Sequence, residues 1–244
     1  MRNPFRDLTR FEKRLYITSL LVVTGVFLLS GSGDRLTLIA SLIGATALIF
    51  VSKGYVIGQV LTVVFALFYG VISFYFRYYG EMITYLGMTS PIAMMSVVSW
   101  LRHPYRQTAE VEVNRMTKRQ VAVMLFSAAT VTGIFYFILR ALGNANLFFS
   151  TLSVTTSYLA SYMTLFRSPF YAVGYAANDV ILIILWIMAS AKDRSYLPMV
   201  ACFAVFLVND SYGFFNWQHM KKRQLCGETS GTEASASLRI GTEE

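Results

Sequence analysis

Short polar segments cut this chain into eight apolar runs, near 15–30, 36–52, 57–76, 82–100, 121–142, 147–166, 170–189 and 197–217. A helix needs about 20 mostly apolar residues to cross a hydrocarbon core. Inside lipid every backbone N–H and C=O has to find its partner within the protein, so runs of this length fold as helices. The expectation is an all-α integral membrane protein with eight transmembrane helices. The breaks carry turn and charge signals: the outer turn at 31–35, Lys53-Gly54, Gly143 to Asn146 and Arg167-Ser168-Pro169. Charged residues make up 14% of the chain, against about 25% in an ordinary soluble domain.

The net charge of +8 raises the question of nucleic acid, but the placement of the charges answers it. Arg2, Arg6, Arg10, Lys13 and Arg14 precede the first run, Arg102, Arg106, Arg115, Lys118 and Arg119 surround the long central loop, and Lys221, Lys222 and Arg223 follow the last run. Lys53 and Arg167 sit in the two remaining turns on that side, whereas the other side holds Arg35, Arg77, Lys192 and Arg194, with Arg140 close by. This is the positive-inside pattern. It predicts a multi-pass protein of the cytoplasmic membrane with both termini in the cytoplasm and no nucleic-acid partner. Cys202 lies in an apolar run and Cys226 in the polar tail, and no Cys/His ligand spacing is present, so no metal or other cofactor is expected. No cleavable signal sequence is read in the first run. Residues 224–244, rich in Gly, Ser, Thr and Glu, are predicted to be a disordered tail.

The two halves resemble each other. The stretch from Ser41 to Lys53 lies over that from Ser153 to Arg167 with a small insertion, each a small-residue helix ending in a basic turn. Ser99-Trp100-Leu101-Arg102-His103 lies over Asn216-Trp217-Gln218-His219 at the end of the third helix of each half. Three helices, one linker helix and three more keep both bundles in the same direction, the arrangement of parallel repeats about an axis along the membrane normal. The expected division is a basic segment and extra helix at 1–35, a first bundle at 36–100, a basic loop and linker helix at 101–146, a second bundle at 147–223, and the tail.

The last run ends Asn209-Asp210-Ser211-Tyr212-Gly213-Phe214-Phe215-Asn216-Trp217. That ending, together with the three-plus-one-plus-three layout over about 36–223, resembles the PnuC-like vitamin transporters. The resemblance implies a fold similar to the SWEET sugar transporters and nicotinamide riboside as the commonest substrate, with thiamine and riboflavin used by relatives. It also implies passive uptake, trapping of the product by a cytoplasmic kinase, and a homotrimer. Better-known members carry a Trp pair where the sixth span turns into the seventh. Here that stretch reads Arg167-Ser168-Pro169-Phe170-Tyr171-Ala172-Val173-Gly174-Tyr175, so Tyr171 and Tyr175 offer the aromatic faces.

Carboxylates are costly within a bilayer and mark sites by default, and the seventh and eighth runs each hold an Asn-Asp pair, Asn178-Asp179 and Asn209-Asp210. Residues three and four apart share a helix face. Tyr171, Tyr175, Asn178 or Asp179, Leu182 and Trp186 form one stripe, and Asn209, Tyr212 and Asn216 another. A flat base can stack on Tyr or Trp, a cationic ring gains further from the π face, and Asn supplies donor and acceptor to ribose hydroxyls. The expected substrate contacts are Asn178, Asp179, Asn209, Tyr212, Tyr175, Trp186, Thr156 and Gln59. The plainer readings stand beside them. The amides can be interhelical glue, and the two Asp can cap or brace helices. Trp100 and Trp217, next to basic segments, are expected to be interfacial anchors, and His103 and His219 to be solvated. The first half is mostly apolar where the second is polar, and is expected to close over the solute with aromatic and small residues.

The leading expectation is a passive vitamin-precursor transporter. Thiamine or another flat vitamin is the alternative substrate, and a receptor or structural subunit without transport is the alternative of another class. An enzyme is disfavoured because no nucleophile–base set, metal cluster or Gly-rich phosphate loop is found.

Overall fold

The computed structural model describes residues 4–30, 35–75, 79–144 and 146–240, with side chains as far as Gly227. Arg2, Arg77 and most of the outer turn at 31–35 lie outside the described residues. Among those described there are eight long helices: α1 Arg10–Ser30, α2 Arg35–Ser52, α3 Val56–Tyr75, α4 Tyr79–Arg102, α5 Lys118–Ala141, α6 Leu147–Leu165, α7 Tyr171–Ser190 and α8 Leu197–Ile240. Seven are long and apolar enough to cross a membrane; α6 is the exception. Its composition explains this, since it is rich in Ser and Thr. Thr151, Thr155 and Thr164 return their hydroxyls to the carbonyls of Leu147, Thr151 and Ala160, so these groups stay satisfied without water. Helix α8 continues to Ile240, through the described part of the segment 224–244 that the sequence reads as a tail.

Local chemistry sets the helix ends. Thr117 accepts from the Gln120 N–H while the Gln120 side chain accepts from the Thr117 N–H, a capping box that starts α5. Helix α4 widens into a π turn at Tyr85–Thr89. Pro91 follows two residues after its end and cannot donate to the helical ladder, and a π turn absorbs such a break within a continuous helix.

Helices α2, α3 and α4 form one bundle and α6, α7 and α8 the other, with the middle helix of each touching both neighbours. The bundles meet twice in equivalent ways, α2 on α8 and α4 on α6. The linker α5 packs mainly on α6, and α1, outside the repeat, packs on α2 and α8. Glycines allow close approach within each bundle. A Cβ at Gly58 would lie 2.4 Å from the Val51 backbone N, and one at Gly174 would lie 2.9 Å from Ala160 Cα.

The basic end of the molecule shows the repeat most clearly. Helices α2 and α6 both end in a left-handed residue, Gly54 at φ 69° and Arg167 at φ 55°. Gly54 and Tyr55 donate to the carbonyls of Val51 and Phe50, and Arg167 and Ser168 donate to those of Thr164 and Met163, one capping pattern used twice. The central loop crosses both caps, with Val111 N–H donating to Gly54 O and Asn114 N–H to Arg167 O. Gln224 fastens that loop to α8 through Val111 and Val113.

Trp100 and Trp217 lie inside this region, 1% and 0% exposed, and are not the interfacial anchors their position suggests. Trp100 Nε1 donates to Thr164 O and Trp217 Nε1 to Val51 O. Each indole at the end of one bundle's third helix thus bonds the end of the other bundle's first helix. The preceding residues repeat the pattern, Ser99 Oγ to Leu165 O and Asn216 Nδ2 to Ser52 O. The basic neighbours mislead because their charges point outward while the indoles point between the bundles.

Candidate functional site

Between the bundles, midway along the helices, lies a largely enclosed cavity of about 60 Å³. Helix α7 supplies Tyr175, Asn178 and Asp179, and α8 supplies Asp210. The spacing from Tyr175 to Asn178 and Asp179 keeps all three on one face. The Asp179 and Asp210 carboxyls lie against each other, and Asp179 Oδ2 has no hydrogen-bond partner among the described residues. Both side chains are buried. Asn178 Oδ1 accepts from Thr156 Oγ1 at 3.0 Å, which leaves the amide N–H groups as donors. The Tyr175 hydroxyl meets Ser161 Oγ at 3.3 Å.

The first bundle closes the opposite wall with Gln59, Thr62 and Phe65 from α3, and with Tyr85 and Thr89 from the π turn of α4. The extra residue of the π turn re-aims these last two, a use that π bulges often have at functional sites. Phe65 packs edge-on against both Tyr85 and Phe206, at 6.0 and 5.6 Å between ring centroids. Gly44 lets Phe206 in: a Cβ there would stand 2.4 Å from the Phe206 ring.

Of the expected contacts, Asn178, Asp179, Tyr175 and Gln59 line this cavity, and Thr156 touches it through Asn178. The remaining three are elsewhere. Asn209 donates from Nδ2 to Ser19 Oγ and to Val205 O, so its amide ties α8 to α1. The Tyr212 hydroxyl donates to Glu12 Oε1 at 2.7 Å, and Glu12 also pairs with Lys53 at 3.1 Å. Trp186 lines a second cavity nearer the far end, with Glu81 and Asn146. His103 and His219 are exposed, as expected. Nearby at the basic end, burial and then the neighbouring Asp7, Glu110 and Glu12 push the Tyr55 phenol up to about 12, so it stays neutral at ordinary pH.

A sequence profile of the nicotinamide mononucleotide transporter family matches residues 34–219. The chain belongs to this family. It is 24% identical over 227 residues to the nicotinamide riboside transporter PnuC of Neisseria mucosa, covering 91% of this chain and 86% of that one. The crystal structure of the vitamin B3 transporter PnuC superposes with a TM-score of 0.78 at 25% identity, covering 89% of this chain and 94% of the other. The chain is therefore a multi-pass membrane protein of a transporter family and not an enzyme, with the eight-helix, parallel-repeat architecture of PnuC.

Within this transporter fold, the sequence stripes miss several cavity residues. Asp210 stands beside Asn209 and was open to a bracing role, yet it, not the amide, faces the cavity. Phe65, Tyr85, Thr89 and Phe206 carry no local signal, because aromatic and hydroxyl side chains are common throughout the spans. The repeat could have found some of them. Phe65 stands eleven residues after Gly54 and Asn178 eleven after Arg167, and Thr89 and Phe206 stand eleven before Trp100 and Trp217, the two indoles that latch the bundles at the basic end.

Proposed function

We propose that the chain carries nicotinamide riboside across the cytoplasmic membrane by facilitated diffusion with alternating access. The observation that carries this reading is the Asp179–Asp210 carboxyl pair in a cavity whose other walls are aromatic, apolar or uncharged polar side chains. An acidic pair buried in low dielectric favours a cationic solute, and the aromatic wall favours a flat ring. Nicotinamide riboside has both, a pyridinium ring and a ribose whose hydroxyls suit the Asn178 amide and Gln59. Thiamine, also a cationic aromatic, is the alternative on the same grounds.

A cavity of about 60 Å³ has room for a few waters and not for a ribonucleoside, so the bundles must part to admit one. In this reading the basic end faces the cytoplasm, as the positive-inside pattern requires. The Trp100 and Trp217 hydrogen bonds then form the inner closure, which opens for release. A kinase in the cytoplasm traps the product, and the protein assembles as a homotrimer, as the family resemblance implies. Helix α5 leaves most of its surface to lipid or to neighbouring copies.

Uptake into sealed vesicles without kinase tests the mechanism. Facilitated diffusion gives equal concentrations of nicotinamide riboside inside and outside at long times, with or without a pH gradient. Accumulation above that level, abolished by a protonophore or by Asp179→Asn, would replace this reading with proton symport. Reporters fused after Arg223 and within 105–115 test the orientation, and both should read cytoplasmic.

A further inference from the structure

The second cavity, of about 90 Å³, lies toward the far end between α4, α6 and α7. Glu81 of α4 lines it with Trp186 of α7, Ser150 of α6, and Asn144 and Asn146 of the loop before α6. Glu81 is 9% exposed. Its Oε1 lies 3.5 Å from Ser153 Oγ, and its Oε2 has no partner among the described residues. A buried carboxylate with an unmet oxygen is costly to keep. Lys192 lines the same cavity but is exposed and makes no ion pair with Glu81. The cavity thus presents a buried carboxyl group beside an indole, with hydroxyl and amide groups around them.

The two cavities are stacked along the same walls. Glu81 precedes Tyr85, a wall of the central cavity, by four residues, and Trp186 follows Asp179 by seven. At 1.5 Å per residue these separations are about 6 and 10 Å. Between them the Tyr69 and Tyr85 rings meet at 4.3 Å between centroids, a barrier of two aromatic side chains.

We infer that the far cavity is an outer capture site for the cationic aromatic ring of the solute, held by the Glu81 carboxylate and the Trp186 indole before it passes to Asp179 and Asp210. The inference rests on the function proposed above, since it needs a cationic aromatic solute. A carboxylate next to an indole favours an aromatic cation over a bare metal ion, because the π face adds attraction that needs no oxygen ligands. The ring then exchanges one carboxylate for another along the path and is never left unpaired in low dielectric.

The test uses the full chain in sealed vesicles and two probes, nicotinamide riboside and its reduced, uncharged dihydropyridine form. Glu81→Gln should raise KM for the charged probe about tenfold and leave that for the uncharged probe within about twofold, as expected for loss of one charge-assisted contact. Added salt should raise the wild-type KM for the charged probe and have little effect in Glu81→Gln. Equal effects on both probes, or none, would overturn the inference. If Glu81→Gln fails to fold, Trp186→Phe and Trp186→Leu decide the matter: Phe should preserve the preference for the charged probe and Leu should lose it, and identical behaviour overturns the inference. Sodium-dependent uptake that disappears in Glu81→Gln would make this an inorganic cation site and overturn it too. If wild-type vesicles carry neither probe, the proposed function fails first and the capture site falls with it.

Discussion

The two bundles are nearly identical where they are fastened and unlike where they enclose space. At the basic end each donates one indole and one polar side chain to the carbonyls that close the other's first helix. In the cavity, equivalent positions carry different chemistry. Gly44 corresponds to Ser157, Thr62 to Tyr175, and Phe65 to Asn178, each pair the same number of residues from its turn. Asp210 and its counterpart Ala93 both stand seven residues before a latch Trp. The difference teaches that the latches and the cavity answer to separate demands. In the alternating-access mechanism proposed above, closure calls for matched fastening on both sides of the axis. A small asymmetric solute needs charge and donors on one side and shape on the other.

The largest effect should come from removing the asymmetry of charge. Asp179→Asn with Asp210→Asn keeps the shape of the pocket and should weaken nicotinamide riboside binding about a hundredfold, as expected for two lost contacts to a charged group. Calorimetry on the purified protein measures it. Unchanged affinity would mean that the second bundle's charge serves packing alone, and the contrast between the bundles would lose its functional meaning.

Next comes the pair of amides. Asn178→Leu should cost about 1–3 kcal/mol of binding through a lost buried polar contact. Asn209→Leu should leave affinity within about twofold, because that side chain bonds Ser19 of α1; its loss should lower the thermal midpoint instead. The reverse order would put the amide contact to the solute on α8 rather than α7.

Smaller still is the effect of the latches. Trp100→Phe and Trp217→Phe each remove one indole donor and should each lower stability by about 1 kcal/mol. Because the carbonyls of Thr164 and Val51 each also accept a backbone N–H from the cap, neither is left bare. The two costs should match. A large difference in unfolding midpoints would show that one latch is dominant and that the pseudo-symmetry at the basic end is geometric only.

This contrast also sets how far the sequence could be read. Span lengths, the basic turns and the matching helix ends carry the architecture, because bilayer thickness and backbone satisfaction leave few alternatives. Asn178, Asp179 and Tyr175 are visible because polar groups at helical spacing are rare in an apolar run. Helical spacing alone does not say which neighbour a stripe meets. Asn209 and Tyr212 form a regular stripe, yet α1 lies against it and takes both side chains. The buried indoles look like anchors for a similar reason: their partners are carbonyls more than sixty residues away. The π turn that aims Tyr85 and Thr89 depends on how Pro91 disturbs a helix already packed on its neighbours.

The smallest predicted effect tests how the second bundle's donors are aimed. Thr156 donates to Asn178 Oδ1, so the amide oxygen is occupied and its N–H groups turn toward the cavity. The hydroxyl also contacts the Leu152 and Ser153 carbonyls of its own helix, and Thr156 is therefore a positioning residue rather than a ligand. Thr156→Val keeps the β-branched shape and removes the donor. The amide can then rotate and offer its oxygen to a ribose hydroxyl, which replaces one kind of contact with another. The expected loss is about 0.5–1 kcal/mol, near the lower end for a neutral hydrogen bond. Thr156→Ser keeps the donor and should bind like wild type. The same pair of substitutions in an Asn178→Leu background should have no effect on affinity, since there is no amide left to aim. A full-sized loss in that background would give Thr156 a direct contact with the solute and move the polar wall one helix further round, onto α6.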